Sequence, residues 1–202
     1  MHTQTLIVHT PQHDVEVECR YRIINTKDVP TSKQQFADMC KQGCRNYDSK
    51  YCCPPFSPSF QAYVKEPYML LLILKIDLDQ FDYKEYHKLR VGNAIIKPRI
   101  ERVMRALEPY TDSKFCSSGA CRLCKPCKRK ANKPCQHPDK MRFSLEALGV
   151  DCNKLAETAF HVPLVWYKEK KAPTYTSVLS GLPLRKQEDI LDLTRRTLKK
   201  TT

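Results

Sequence analysis

The sequence predicts a single α/β domain, with α+β as the alternative, built as a mixed central sheet with flanking helices and two cysteine-rich loops. Three observations predict it. Asp14 to Ile24 alternates apolar and charged side chains, the period of a half-buried strand. Tyr68 to Leu78 is a near-continuous apolar run, as expected of a central strand covered on both faces. Ile96, Ile100, Val103, Met104 and Leu107 recur at helical spacing and form one stripe of an amphipathic helix. At 202 residues the chain can bury a core without covalent staples. Its 41% apolar and 28% charged residues exclude global disorder. The domain is expected over 1–184, with 185–202 as a charged C-terminal tail or helix.

The remaining elements follow in chain order. Met1 to Thr10 has no basic start and no long apolar stretch, so no secretory signal is read there. Ser32 with Gln35 makes a capping-box pattern. The helix after it should turn Phe36 and Met39 inward and stop at a left-handed Gly43. Cys40 then falls in its last turn and Cys44 just beyond. Ser57-Pro58 opens a short helix reaching Lys65. Phe81 to Leu107 is helical, and Pro98 should kink or divide it. Lys114 to Ser118 reads as a short strand and Asp139 to Leu148 as a short helix ended by Gly149. Asp151 caps another helix, and Val162 to Tyr167 and Tyr175 to Leu179 read as closing strands. The longest apolar run, Met69 to Leu74, is far short of the roughly 20 residues of a membrane helix, so no membrane partner is expected.

Eleven cysteines dominate the chemistry. The count is odd, the chain is large enough to fold without disulfides, and no export signal is visible. A disulfide framework fits badly, and a reducing, cytoplasmic setting with metal fits better. Cys121, Cys124 and Cys127 form C-x2-C-x2-C, with Cys135 after seven more residues. Such a pitch lets successive thiolates converge on an iron–sulfur cluster. Zinc more often takes two close pairs set apart in sequence. A second group is Cys40-x3-Cys44 with Cys52-Cys53-Pro54-Pro55. Adjacent cysteines in extended chain point to opposite sides, so Cys52 and Cys53 do not easily share one metal. Cys121, Cys124, Cys127 and Cys135 can complete one 4Fe-4S cluster, although by analogy with two-cluster ferredoxins Cys135 can serve either group. Cys40, Cys44 and Cys53 supply only three ligands to a second, which is completed by Cys52, Cys116 or a non-cysteine group, or keeps an open iron. Four thiolates pass electrons or hold structure, whereas an open iron also binds substrate. Cys116-x4-Cys121-x2-Cys124 has the plant-type two-iron spacing and ranks lower.

These residues carry a resemblance. The chain resembles an uncharacterised family of predicted metal-binding proteins found mainly in anaerobic bacteria and archaea (domain-of-unknown-function family 2284). The pattern stands here as Cys40 with Cys44, Cys53-Pro54-Pro55, the Cys121/Cys124/Cys127 run, Cys135-Gln136-His137-Pro138 and Ser144-Leu-Glu146-Ala147-Leu-Gly149. It spans most of residues 16 to 180. The first pair is x3 apart where the family often has x2, Gln136 replaces an arginine, and Cys52, Cys116 and Cys152 are additional. The resemblance implies cluster or metal binding and supplies no reaction.

Formal net charge is +13, and eight Lys or Arg residues against one Asp lie between Cys121 and Arg142. They can compensate an anionic cluster or make an RNA face. No aromatic-rich RNA motif interleaves with them, which favours compensation. His137 is a ligand or a neighbour of one, His87 a surface residue, Cys19 and Cys152 buried packing, and Glu146 a proton carrier or a surface ion pair. No catalytic triad, phosphate-binding loop or dinucleotide fingerprint is present, so hydrolase, NTPase and nicotinamide-dehydrogenase readings lack support. The leading expectation is one or two 4Fe-4S clusters, serving electron transfer to a redox partner protein or chemistry on a small-molecule substrate. The alternative is a zinc-stabilised basic module binding RNA or a protein, and a third is a metal-stapled scaffold. The two cysteine loops, 40–55 and 116–137, are expected to meet at one end of the domain.

Overall fold

The computed structural model describes residues 1–12, 14–187 and 190–200. Four strands, β1 (His2–His9), β2 (Asp14–Asn25), β3 (Tyr68–Asp77) and β4 (Tyr175–Leu184), form one sheet in the order β1-β2-β3-β4. Five helices surround it: α1 (Lys33–Gly43), α2 (Phe60–Tyr63), α3 (Glu85–Leu107), α4 (Cys152–Phe160) and α5 (Ile190–Lys200). The expected sheet with flanking helices is therefore present. All three strand pairs are antiparallel, so the sheet is of the α+β kind and not mixed.

β3 explains the difference. Its apolar run is continuous because both sheet faces are covered, without any parallel neighbour. Leu70, Leu72, Leu74 and Ile76 enter one core with Val15, Val17, Cys19 and Tyr21 of β2 and the Ile96/Ile100/Val103/Met104/Leu107 stripe of α3. Met69, Leu71 and Ile73 enter a second core with Leu155, Ala156, Ala159 and Phe160 of α4. The two-residue period of a strand divides one sequence run between two cores. Arg20 and Arg22, on the other face of β2, donate to the Phe160 and Ala159 carbonyls (2.7 and 3.2 Å) and so meet the negative end of α4.

Several boundaries differ from expectation. β1 replaces a terminus for which no element was read, and β4 runs five residues beyond Leu179. α3 continues through Pro98 and begins at Glu85. Met39 is 57% exposed and not inward. Gly43 is the last helical residue with no positive φ, and Cys44 caps α1 in extended conformation. Ser59, not Ser57, caps α2. Ser57 is instead buried, with its hydroxyl donating to the Ala147 carbonyl (2.6 Å) and accepting from Lys33 Nζ (2.8 Å). Residues 139–148 form turns and not a helix, and 162–167 pair with no strand. The strand expected at 114–118 reduces to bridges from Cys116 to Gly181 and from Ser117 to Ser144. Asp151 does cap α4, its carboxylate accepting from the Lys154 amide at 2.9 Å. Gly149 has φ +91°, and a Cβ there would lie 2.5 Å from Lys33 Cα, so the turn presses against the start of α1. The charged C-terminal segment contains α5, with Ile190 and Leu198 in the first core. Positions 188, 189, 201 and 202 of that segment lie outside the described residues. No helix among the described residues is long and apolar enough to cross a membrane.

Candidate metal centre

Both cysteine-rich segments lie in the long connections of the sheet, one between β2 and β3 and one between β3 and β4. They meet. Lys50 Nζ donates to the Cys121 carbonyl (2.7 Å) and the Tyr51 hydroxyl to the Lys133 carbonyl (2.9 Å). Arg129 donates to Asp48 (2.8 Å) and stands 4.7 Å over the Phe56 ring. The Cys121 amide donates to Cys52 Sγ at 3.1 Å. All eleven cysteines are free thiols.

Cys52, Cys121, Cys124, Cys127 and Cys135 line one small cavity, with Lys50, Tyr51 and His137 at its edges. This brings together the four candidates of the C-x2-C-x2-C run and its follower. Cys124 is held above the ordinary thiol value by desolvation and by the neighbouring Cys121, Cys127 and Cys135 sulfurs. The Cys121 thiol is pushed up by its hydrogen bond with Cys52 and by burial. For Cys52 the bond with Cys121 favours the thiolate, but the bond with Cys53 and burial outweigh it and push the thiol up to about 11. Crowded sulfurs suppress each other's ionisation. A bound cation reverses that logic, because a coordinating thiol is deprotonated outright.

Cys40, Cys44 and Cys53 form the second group. The last turn of α1 sets Cys40 and Cys44 four residues apart, with the Cys44 amide donating to the Cys40 carbonyl (3.0 Å). The Cys40 thiol is raised by burial, by Cys44 and by the Glu146 carboxylate, against the pull of Lys33. Cys53 is buried and within the electrostatic reach of both. Its thiol is held below the ordinary value by the hydrogen bond with Cys52, against burial. Cys40 and Cys44 open on a groove of about 970 Å³ that Glu146, Lys97, Ser118 and Trp166 also line.

The family model for predicted metal-binding proteins (domain of unknown function 2284) matches residues 22–180. The chain belongs to this family. No curated protein and no solved structure matches it. The matched span holds every candidate ligand of this metal-binding protein, while β1 and α5 lie outside it.

The residues beyond the family pattern divide. Cys52, which the sequence offers as a possible fourth ligand to Cys40, Cys44 and Cys53, borders the cavity of the other four thiols. Segment 51–53 is a turn and not extended chain, and the Cys52 and Cys53 sulfurs stand 3.7 Å apart. The doubled cysteine was the available signal. Cys116 is fully buried in the second core, with its carbonyl accepting from the Ser180 hydroxyl (2.6 Å) and the Gly181 amide (3.1 Å). It does not line the thiol cavity, which removes the plant-type spacing from consideration. Cys152 is buried, with its thiol raised by burial and by Glu146. Cys19 is buried and raised to about 12 by burial first. His87 is exposed and stacks on Tyr83. His137 is exposed at the rim of the thiol cavity. Gln136, at the family's arginine position, accepts from the Cys124 thiol at 3.6 Å.

By donor chemistry the two groups fit a thiophilic metal: up to five thiols around one cavity, an amide directed at a sulfur, and lysines and arginines close by. The enclosed space is about 20 Å³, room for one water-sized body. Among the described residues no three His, Cys, Asp or Glu side chains stand at the spacing of ligands on a single ion. The arrangement is two thiol clusters and not a formed chelate.

Proposed function

We propose that this metal-binding protein is an iron–sulfur protein. Cys121, Cys124, Cys127 and Cys135 hold a 4Fe-4S cluster, and Cys40, Cys44 and Cys53 hold a second with one iron left to solvent or substrate. The observation that carries the reading is that Cys121, Cys124, Cys127 and Cys135 line one small cavity, with Cys52 beside them, while Cys40 and Cys44 open on a separate groove with the buried Cys53 within their electrostatic reach. Such centres supply one-electron transfer and, at an iron without a thiolate, Lewis acidity. The protein's own contribution is then separate at each end. Around the set of four, Lys50 and Arg129 tie the two loops together and place positive charge near the sulfurs. Beside the set of three, Glu146 is exposed on the groove next to Cys40 and can accept or deliver a proton. Electrons would pass to a redox partner protein, or chemistry would occur on a small molecule in the groove. Free thiols throughout favour the cytoplasm.

RNA binding by the basic loop has less support. Arg129 is committed to Asp48, Asn132 and Phe56, and no row of exposed aromatic rings accompanies the cations. A second metal reading, one zinc ion on four of the five cavity thiols, is favoured by the small enclosed space. Anaerobic purification with iron, zinc and acid-labile sulfide analysis separates the two. Iron and sulfide with visible absorbance support the cluster reading. Zinc alone in a colourless protein overturns it. Paramagnetic resonance with and without small anions then tests the open iron.

A further inference from the structure

A cavity of about 380 Å³ lies between α3 and residues 117–123, next to the set of four thiols. Its walls carry Lys97, Arg102, Arg105, Arg122 and Arg142 against the single carboxylate of Glu101. Two of the five cations are already neutralised. Arg105 pairs with Glu101 at 2.6 Å, and Arg142 holds Glu108 with two bonds of 2.5 and 2.6 Å. Glu101 also accepts from the Ser117 hydroxyl (3.1 Å). The side chains of Lys97, Arg102 and Arg122 make no hydrogen bond or ion pair to any described residue, and Arg102 and Arg122 are exposed at the cavity mouth. Lys97 is half-buried, and burial together with the Arg122 charge holds its ammonium below the ordinary value, against the pull of the Glu146 carboxylate. An unpaired cation so placed is favoured by an anion arriving from outside.

We propose that this cavity is the binding site for a small molecule bearing a phosphate or carboxylate group, held by Lys97, Arg102 and Arg122. The volume suits a metabolite and is too small for a macromolecule. Lys97 and Ser118 line this cavity and also the groove onto which Cys40 and Cys44 open. A ligand anchored by its anionic end therefore extends toward the set of three thiols. Any reaction of such a ligand at the set of three rests on the open-iron reading above; the binding stands alone.

Calorimetric titration of the full-length, anaerobically purified protein tests it, with inorganic phosphate, pyrophosphate and succinate as probes. Saturable one-to-one binding is expected for at least one probe, and which one binds separates phosphate from carboxylate ligands. Lys97→Gln and Arg102→Gln should each weaken it by about tenfold, the loss of one charge-assisted hydrogen bond. Lys128→Gln, in the basic loop outside the cavity, should leave it within about twofold. Arg102 is exposed, so that variant keeps the test valid should Lys97→Gln fail to fold. Iron measured on the same samples should not change, which separates this inference from the cluster reading. Absence of saturable binding to all three probes overturns the proposal, as does an equal loss in Lys128→Gln. Loss of iron together with binding also overturns it, because the cations would then be counter-charge for the cluster.

Discussion

The two ends of the molecule are built on different physics. At the sheet, β3 is buried on both faces and apolar side chains from the other three strands and from four helices close over it. At the cysteine end, regular structure stops. Residues 118–141 contain one short helical turn, and four polar ties join them to the first loop. Burial of apolar area is cooperative and indifferent to metal. Polar ties at a half-exposed surface contribute little each. The sheet therefore defines the fold, and the cysteine end is left adjustable enough to close around an inorganic group. The enclosed space of about 20 Å³ means that a four-iron core, as proposed, would require the 121–135 loop to move outward.

This contrast can be broken or sharpened by four variants and one exchange measurement. The largest effect is expected from the double change Cys121→Ser with Cys124→Ser. Iron and sulfide per chain should fall by about half, from two clusters to one, while the far-ultraviolet circular dichroism of the sheet is kept. Unchanged iron would remove this loop from the metal centre. Leu71→Ala should do the reverse. It opens a cavity in the second core and should cost about 2–5 kcal/mol in urea unfolding, with metal per folded chain unchanged. Arg142→Met joins the two ends of the comparison. It strands the Glu108 carboxylate and should cost about 3 kcal/mol in the same assay, because breaking a largely buried pair leaves one charge uncompensated. A cost below about 1 kcal/mol would class the pair with surface bridges. The smallest effect is expected at Asp151→Ala, where loss of the α4 cap should lower stability by about 1 kcal/mol. Hydrogen exchange gives the overall check. Removing metal should speed exchange in 121–135 and leave the β3 amides as they were.

The same contrast governs what could be read from sequence. Periodicity located β2, β3 and the buried stripe of α3, because each period maps onto a packed face. It misjudged the sheet as mixed, since a continuous apolar run is equally compatible with two antiparallel neighbours. β1 escaped notice because His2–His9 alternates among small, polar and apolar residues, with Val8 alone fully buried. At the cysteine end, spacing grouped Cys121, Cys124, Cys127 and Cys135 correctly as neighbours, since a short stretch of chain cannot carry them far apart. It offered Cys52 to the Cys40/Cys44/Cys53 group and not to the Cys121 group that it borders, because its position depends on a turn closed by the Cys53 amide and the Lys50 carbonyl. Nor could it find the Lys97, Arg102 and Arg122 cavity. Those cations come from a helix and a loop that only the fold brings side by side.

The Cys52-Cys53 step has one more consequence. Two successive residues address separate sulfur groups, one toward Cys121 and the other toward Cys40 and Cys44, with 3.7 Å between their Sγ atoms. A shift of that turn moves both ends of the pair together. Under the proposed two-cluster reading, the geometry of either sulfur group would then depend on the other through this single turn.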